Sequence, residues 1–295
     1  MRMVRKNAML RLGVLSAVCG VLLVSTVAFA APQAGRDNPA GRTAAAERNM
    51  QKFGWSTESS LSTTDPDFAA MRDRLIYGEI ADHGTLNDKQ RALITLVVLT
   101  SGQTLEDLKT HVDAALRVGV TPVEIKEAMY QCAPYIGFPK TEAALKIVNE
   151  AFRAKNIPLP VESQSTVTES SRYADGLRVQ KSIFGDGIDK MHQTAPANQM
   201  PIVQNYLSAF CFGDVYTRKG LDLKTREILT FSIISALGGC DSQGRSHVQG
   251  NAAVGNSKEN LIDALAQSLP YIGFPRTLNA LACVNAVIPE PNQAK

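Results

Sequence analysis

The sequence predicts an all-α protein built from two tandem copies of one helical bundle unit. Three observations predict it. The hexapeptide Pro134-Tyr135-Ile136-Gly137-Phe138-Pro139 recurs unchanged as Pro270-Tyr271-Ile272-Gly273-Phe274-Pro275, and the same offset carries His111 onto His247 and Gly119 onto Gly255. Apolar residues recur at helical spacing in both copies. Capping signals precede those stripes.

Taken in chain order, residues 1–30 read as an export leader. Arg2, Arg5, Lys6 and Arg11 form a basic start, an apolar run spans Leu12 to Ala30, and Ala28-Phe29-Ala30 is a small-x-small cleavage signature. Cleavage near Ala30 predicts a periplasmic or secreted protein with no stable membrane association. The alternative is an uncleaved anchor, because the run is about as long as a membrane span. Residues 31–60 read as a flexible N-terminus, rich in Ala, Gly and Arg in its first half. The first unit is assigned to residues 61–155, the Pro/Ser/Thr-rich segment 156–170 to a linker, and the second unit to 171–290.

Within the first unit, Asn87 and Asp88 cap a run of Leu, Ile and Val that ends at Leu99. Its density also suits a buried strand, and its length and flanking pattern favour a helix. Leu105, Leu108, Val112, Ala115 and Leu116 keep helical spacing up to Gly119, a helix stop. Thr121-Pro122-Val123-Glu124 is a capping box with Pro at the first helical position. Asn256 and Glu259 repeat that spacing before Leu261, Ala264 and Leu265. Upstream of the histidines the offset falls to 135, so that Leu86 and Arg91 map onto Leu221 and Arg226.

The formal charge of +3 comes from 31 basic and 28 acidic residues. Removing the four basic leader residues leaves 27 − 28 = −1, so bulk charge gives no case for nucleic acid. Cys132, Cys211, Cys240 and Cys283 remain after cleavage. They form no CxxC pair and no zinc spacing. Export permits disulfides; the apolar settings of Cys132 and Cys283 favour small core residues. With one repeated histidine per copy and few carboxylates at ligand spacing, no metal and no cofactor is expected.

Chemistry concentrates on the repeated histidines. Asp107 stands four residues before His111, so both can share a helix face, where a carboxylate raises and orients an imidazole. In the second copy Cys240 and Gln243 precede His247 by seven and four residues, which can align all three on one face. Glu227 can reach that site from the preceding helix; a surface ion pair with Arg226 is the plainer reading. Arg91 and Arg226 are candidates to hold a substrate carboxylate. Tyr135 and Tyr271 are candidates to orient a substrate, against the plainer role of core tyrosines.

The ordered set Leu-x4-Arg, His, Gly, Glu-Ile and Tyr-x-Gly-x-Pro resembles the carboxymuconolactone decarboxylase family. It is carried by Leu86, Arg91, His111, Gly119, Glu124-Ile125 and Tyr135–Pro139, and again by Leu221, Arg226, His247, Gly255 and Tyr271–Pro275. The resemblance implies alkylhydroperoxidase-like helical units that oligomerise. It also implies one of two chemistries: decarboxylation of a carboxylated lactone, or peroxide reduction by a CxxC pair with a His and a Glu. This chain has Cys240 and Gln243 where the peroxidase pattern has two thiols, and Thr104 and Asp107 in the first copy. The leading expectation is therefore a cofactor-independent acid/base enzyme acting on a small molecule through His111 with Asp107, or through His247. A thiol-dependent peroxidase using Cys240, His247 and Glu227 is the second. A non-catalytic binding or assembly subunit is the third.

Overall fold

A computed structural model describes residues 39–55 and 60–290. The leader and its cleavage site lie outside the described residues. Within them the chain is helical, with no strand, and no helix is long and apolar enough to cross a membrane.

The first unit runs through α1 (Pro39–Phe53), α2 (Ser60–Thr64), α3 (Pro66–Leu75) with a π-helical turn (Ile76–Ile80), α4 (Asp88–Gly102), α5 (Leu108–Arg117), α6 (Pro122–Ile136) and α7 (Phe138–Ala154). The second runs through α8 (Arg172–Phe184), α9 (Gly187–Thr194), a π-helix (Pro201–Tyr216), α10 (Leu223–Leu237), α11 (Asp241–Ala253) and α12 (Lys258–Val287). The expected capping box of Thr121 with Glu124 opens α6, and Asn87 caps α4 in a box with Gln90; α12 is boxed by Ser257 with Asn260, one residue after the expected Asn256 and Glu259. At the end of α6 the chain turns at Gly137 (φ 83°), and α12 kinks at the equivalent Gly273 (φ 73°). These left-handed values explain why glycine recurs inside the hexapeptide.

Every residue of α4 from Arg91 to Ser101 is buried, as is every residue of α10 from Arg226 to Ala236. That two-sided burial accounts for the strand-like apolar run: these helices have no solvent face. They pack on each other, and one core joins Ile94, Leu96, Ile125 and Met129 of the first unit to Ile228, Leu229, Ile233 and Ala264 of the second. Each fully buried Leu, Ile or Met adds roughly 1.5–3 kcal/mol, so the two units fold onto a common interior.

One expectation is corrected. Residues 39–53, placed in a flexible N-terminus, form α1, whose Ala46 and Met50 are buried with Tyr77. Arg42 of α1 pairs with Glu79 at 2.7 Å, and Arg172 of α8 pairs with Asp214 in the same way. The first unit therefore starts with α1 as the second starts with α8.

Candidate active site

Two histidine sites form where the units meet, and each takes residues from both. His111 on α5 meets Tyr271 of the second unit edge-on, with ring centroids 5.7 Å apart. His247 on α11 meets Tyr135 of the first unit in the same way, at 5.9 Å. Beneath each site a polar relay crosses the interface. Arg91 Nη1 donates to Gln267 Oε1 (3.2 Å), and Gln267 Nε2 donates to Thr95 Oγ1 (3.0 Å). Arg226 Nη1 donates to Gln131 Oε1 (3.0 Å), and Gln131 Nε2 donates to Thr230 Oγ1 (2.9 Å).

These relays correct the role expected for the arginines. Arg91 is buried, and its remaining donors go to the carbonyls of Leu86, Ile80 and His83. Arg226 is fully buried rather than at the surface, and its Nη2 donates to Glu127 Oε2 at 2.9 Å and to two backbone carbonyls. Guanidinium groups committed in this way brace the two units against each other. They have no paired face left to offer a substrate carboxylate.

The second site holds the acid/base pair. Glu227, fully buried on α10, places Oε2 2.9 Å from His247 Nδ1. Its other oxygen accepts from the Tyr216 hydroxyl at 2.8 Å. Having spent its proton there, Tyr216 accepts from Thr230 Oγ1 (2.8 Å) and from Tyr135 (3.1 Å). A carboxylate accepting at both oxygens requires the proton of His247 on Nδ1, which leaves Nε2 free to exchange one. Burial pushes the Tyr135 and Tyr216 hydroxyls well above the ordinary tyrosine value, so both stay donors. The His247 side chain keeps 11% of its surface open while Glu227 keeps none. Solvent therefore reaches the imidazole and not the carboxylate. Gly250 makes the approach possible: a Cβ there would stand 2.6 Å from Glu227 Oε2.

The first site differs. Asp107 is exposed ahead of α5 and does not act on His111; burial alone pushes the His111 imidazole down to about 4. The expected Asp107–His111 pair, with its raised imidazole, is thus overturned: desolvation wins where no carboxylate faces the ring. In place of Tyr216, Glu227 and Gly250 the first copy has Ala81, Ala92 and Ala114. All three line a cleft beside His111 that is open to solvent on one side.

Cys240 does not join His247. It precedes α11 in a non-helical conformation (φ −114°, ψ 38°), so helical spacing does not extend to it. It lines a separate cleft with Phe231, Arg276 and Cys283. Gln243 is exposed on α11. All four described cysteines are free thiols. Tyr216, Thr230 and Gln131 were missed by sequence reading. The 135 and 136 offsets, applied to Thr95 and Gln267, give Thr230 and Gln131 and were the available signal.

Comparison with known proteins finds one family in both units. The model of the carboxymuconolactone decarboxylase family matches residues 66–150 and 201–286. The chain is 31% identical over 94 residues to the 4-carboxymuconolactone decarboxylase of Acinetobacter baylyi, covering 32% of this chain and 70% of that protein. It is 31% identical over 74 residues to the nitrosuccinic acid decarboxylase of Metarhizium robertsii, covering 25% of this chain and 52% of that one. A crystal structure described as a gamma-carboxymuconolactone decarboxylase subunit from Burkholderia xenovorans is similar in fold, with TM-score 0.50 and 17% identity over 83% of this chain and 97% of that chain.

Proposed function

Because this chain belongs to the carboxymuconolactone decarboxylase family, we propose that it is a cofactor-independent acid/base enzyme of the decarboxylase type, with His247 as the proton-transferring group. The observation that carries the proposal is the 2.9 Å contact between Glu227 and His247. The substrate class is a small carboxylic acid whose carboxyl-bearing carbon adjoins an electron-withdrawing group. Relatives named for 4-carboxymuconolactone and nitrosuccinic acid support that class.

In the proposed reaction the substrate carboxylate leaves as CO₂ and its bonding pair passes to the adjoining electron-withdrawing group. The carbon then takes a proton from His247 Nε2, and solvent restores it. Glu227 keeps the ring in one orientation and balances its charge while it carries the extra proton. Tyr135, from the opposite unit, positions the ring and stays protonated. His111 lacks a carboxylate partner and is assigned no proton transfer. Exposed Phe68, Met71, Ile202 and Tyr206 support assembly into a homo-oligomer. The leader supports export, which N-terminal sequencing of the processed chain checks.

The experiment is CO₂ release from 4-carboxymuconolactone by the mature chain and its variants. His247→Ala is expected to lose about 10²–10⁴-fold in turnover, Glu227→Gln about tenfold or more, and His111→Ala less than about threefold. Equal turnover in wild type and H247A rejects the assignment.

A further inference from the structure

The two histidine sites differ by side chains whose removal leaves a shaped space, and that space supplies the inference. In the second copy Tyr216 lays its ring against Phe212 and sends its hydroxyl between Tyr135 and Thr230, at 3.1 and 2.8 Å. The first copy keeps both hydroxyl partners, as Tyr271 and Thr95, and has Ala81 where the phenol would be. Its neighbouring Ala92 stands where Glu227 fills the other site. Tyr271 bonds Thr95 as Tyr135 bonds Thr230, but Thr95 Oγ1, with no phenol to meet, donates to the Arg91 carbonyl of its own helix at 3.0 Å. Both Ala81 and Ala92 line the cleft, as do His111 and Trp55. His111 is neutral above about pH 4, and Arg91, which also lines the cleft, has its guanidinium donors committed to Gln267 and to three backbone carbonyls.

We propose that the cleft beside His111 is a binding site for a small neutral phenol, which takes the place that the Tyr216 side chain occupies in the second copy. The ring lies in the slot over Ala81 and Ala92. The hydroxyl sits between Tyr271 and Thr95, which regain the partner that their counterparts have. The site is separate from the Glu227–His247 dyad, so the inference does not rest on the decarboxylase reading.

Trp55 is the only tryptophan in the chain and its ring lies 4.7 Å from that of His111. Its fluorescence therefore reports the cleft directly. The test titrates the full mature chain with 4-methylphenol, exciting tryptophan alone, and repeats this with toluene. A saturable change in Trp55 emission is expected, with toluene at least tenfold weaker because it lacks the hydroxyl. Ala81→Tyr, which restores the phenol covalently, is expected to weaken 4-methylphenol at least tenfold. Tyr271→Phe, whose backbone and ring are unchanged, is expected to weaken 4-methylphenol and leave toluene unaffected. Circular dichroism checks that each variant is folded, and if A81Y does not fold, Ala92→Leu narrows the same slot. The proposal is overturned by no saturable change up to about 10 mM 4-methylphenol, by toluene binding as tightly as 4-methylphenol, or by unaltered binding in the filled variants. Loss of decarboxylation in H247A with phenol binding intact separates the two readings.

Discussion

Arg226 of the second unit holds Glu127 of the first at 2.9 Å, and the two side chains keep 0% and 2% of their surface open. This buried pair fixes how the units sit. Arg226→Met strands Glu127 with Arg218 as its remaining partner. Breaking a buried pair from one side costs about 3–5 kcal/mol. Urea unfolding of R226M is expected to show a loss of that order, and a loss below about 1 kcal/mol sinks the bracing role.

Gly250→Ala tests the packing of the dyad. The added Cβ collides with Glu227 Oε2 and comes within 3.0 Å of Phe184. Overpacking of this kind costs about 1–3 kcal/mol. Turnover is expected to fall about tenfold or more as Glu227 is displaced from His247, while helical content by circular dichroism stays unchanged.

Stability should depend on pH through His111. Its folded-state value is depressed to about 4 by burial, against about 6.5 in the unfolded chain. Above pH 6.5 the ring is neutral in both states. As pH falls from 6.5 to 4 the unfolded chain takes up a proton that the folded one refuses, so stability drops, by on the order of 1–3 kcal/mol. Urea midpoints at pH 7 and pH 4.5 measure this, and His111→Asn is expected to remove that part of the difference.

Gly273→Ala separates conformation from crowding. The nearest atom to an added Cβ is 3.8 Å away, so space is open, and the cost is that of φ 73° for an L-residue, roughly 1–2 kcal/mol. Thermal unfolding should show that loss. An unchanged midpoint contradicts it.

Much of the fold was legible because period and punctuation agree in it. The helix stripes, the capping boxes and the repeated hexapeptide each reflect a local rule. α1 escaped notice because its match to α8 runs at another offset, with Arg42 answering Arg172, and its sequence is rich in Ala and polar residues. The site was legible in its histidines and in Glu227, and misread elsewhere. A run of residues shows that Arg91 and Arg226 are cationic; it does not show that carbonyls and a carboxylate across an interface have already claimed them. Helical spacing put Cys240 on the face of His247, and a non-helical residue at the start of α11 removed it. Asp107 had the right spacing and the wrong exposure.

Each imidazole looks onto a tyrosine contributed by the opposite copy. Neither half can therefore drift alone: a change in one hexapeptide is felt at the histidine of its sibling. Gene doubling is often pictured as freeing a spare to decay. In this chain the spare holds up one wall of the working room.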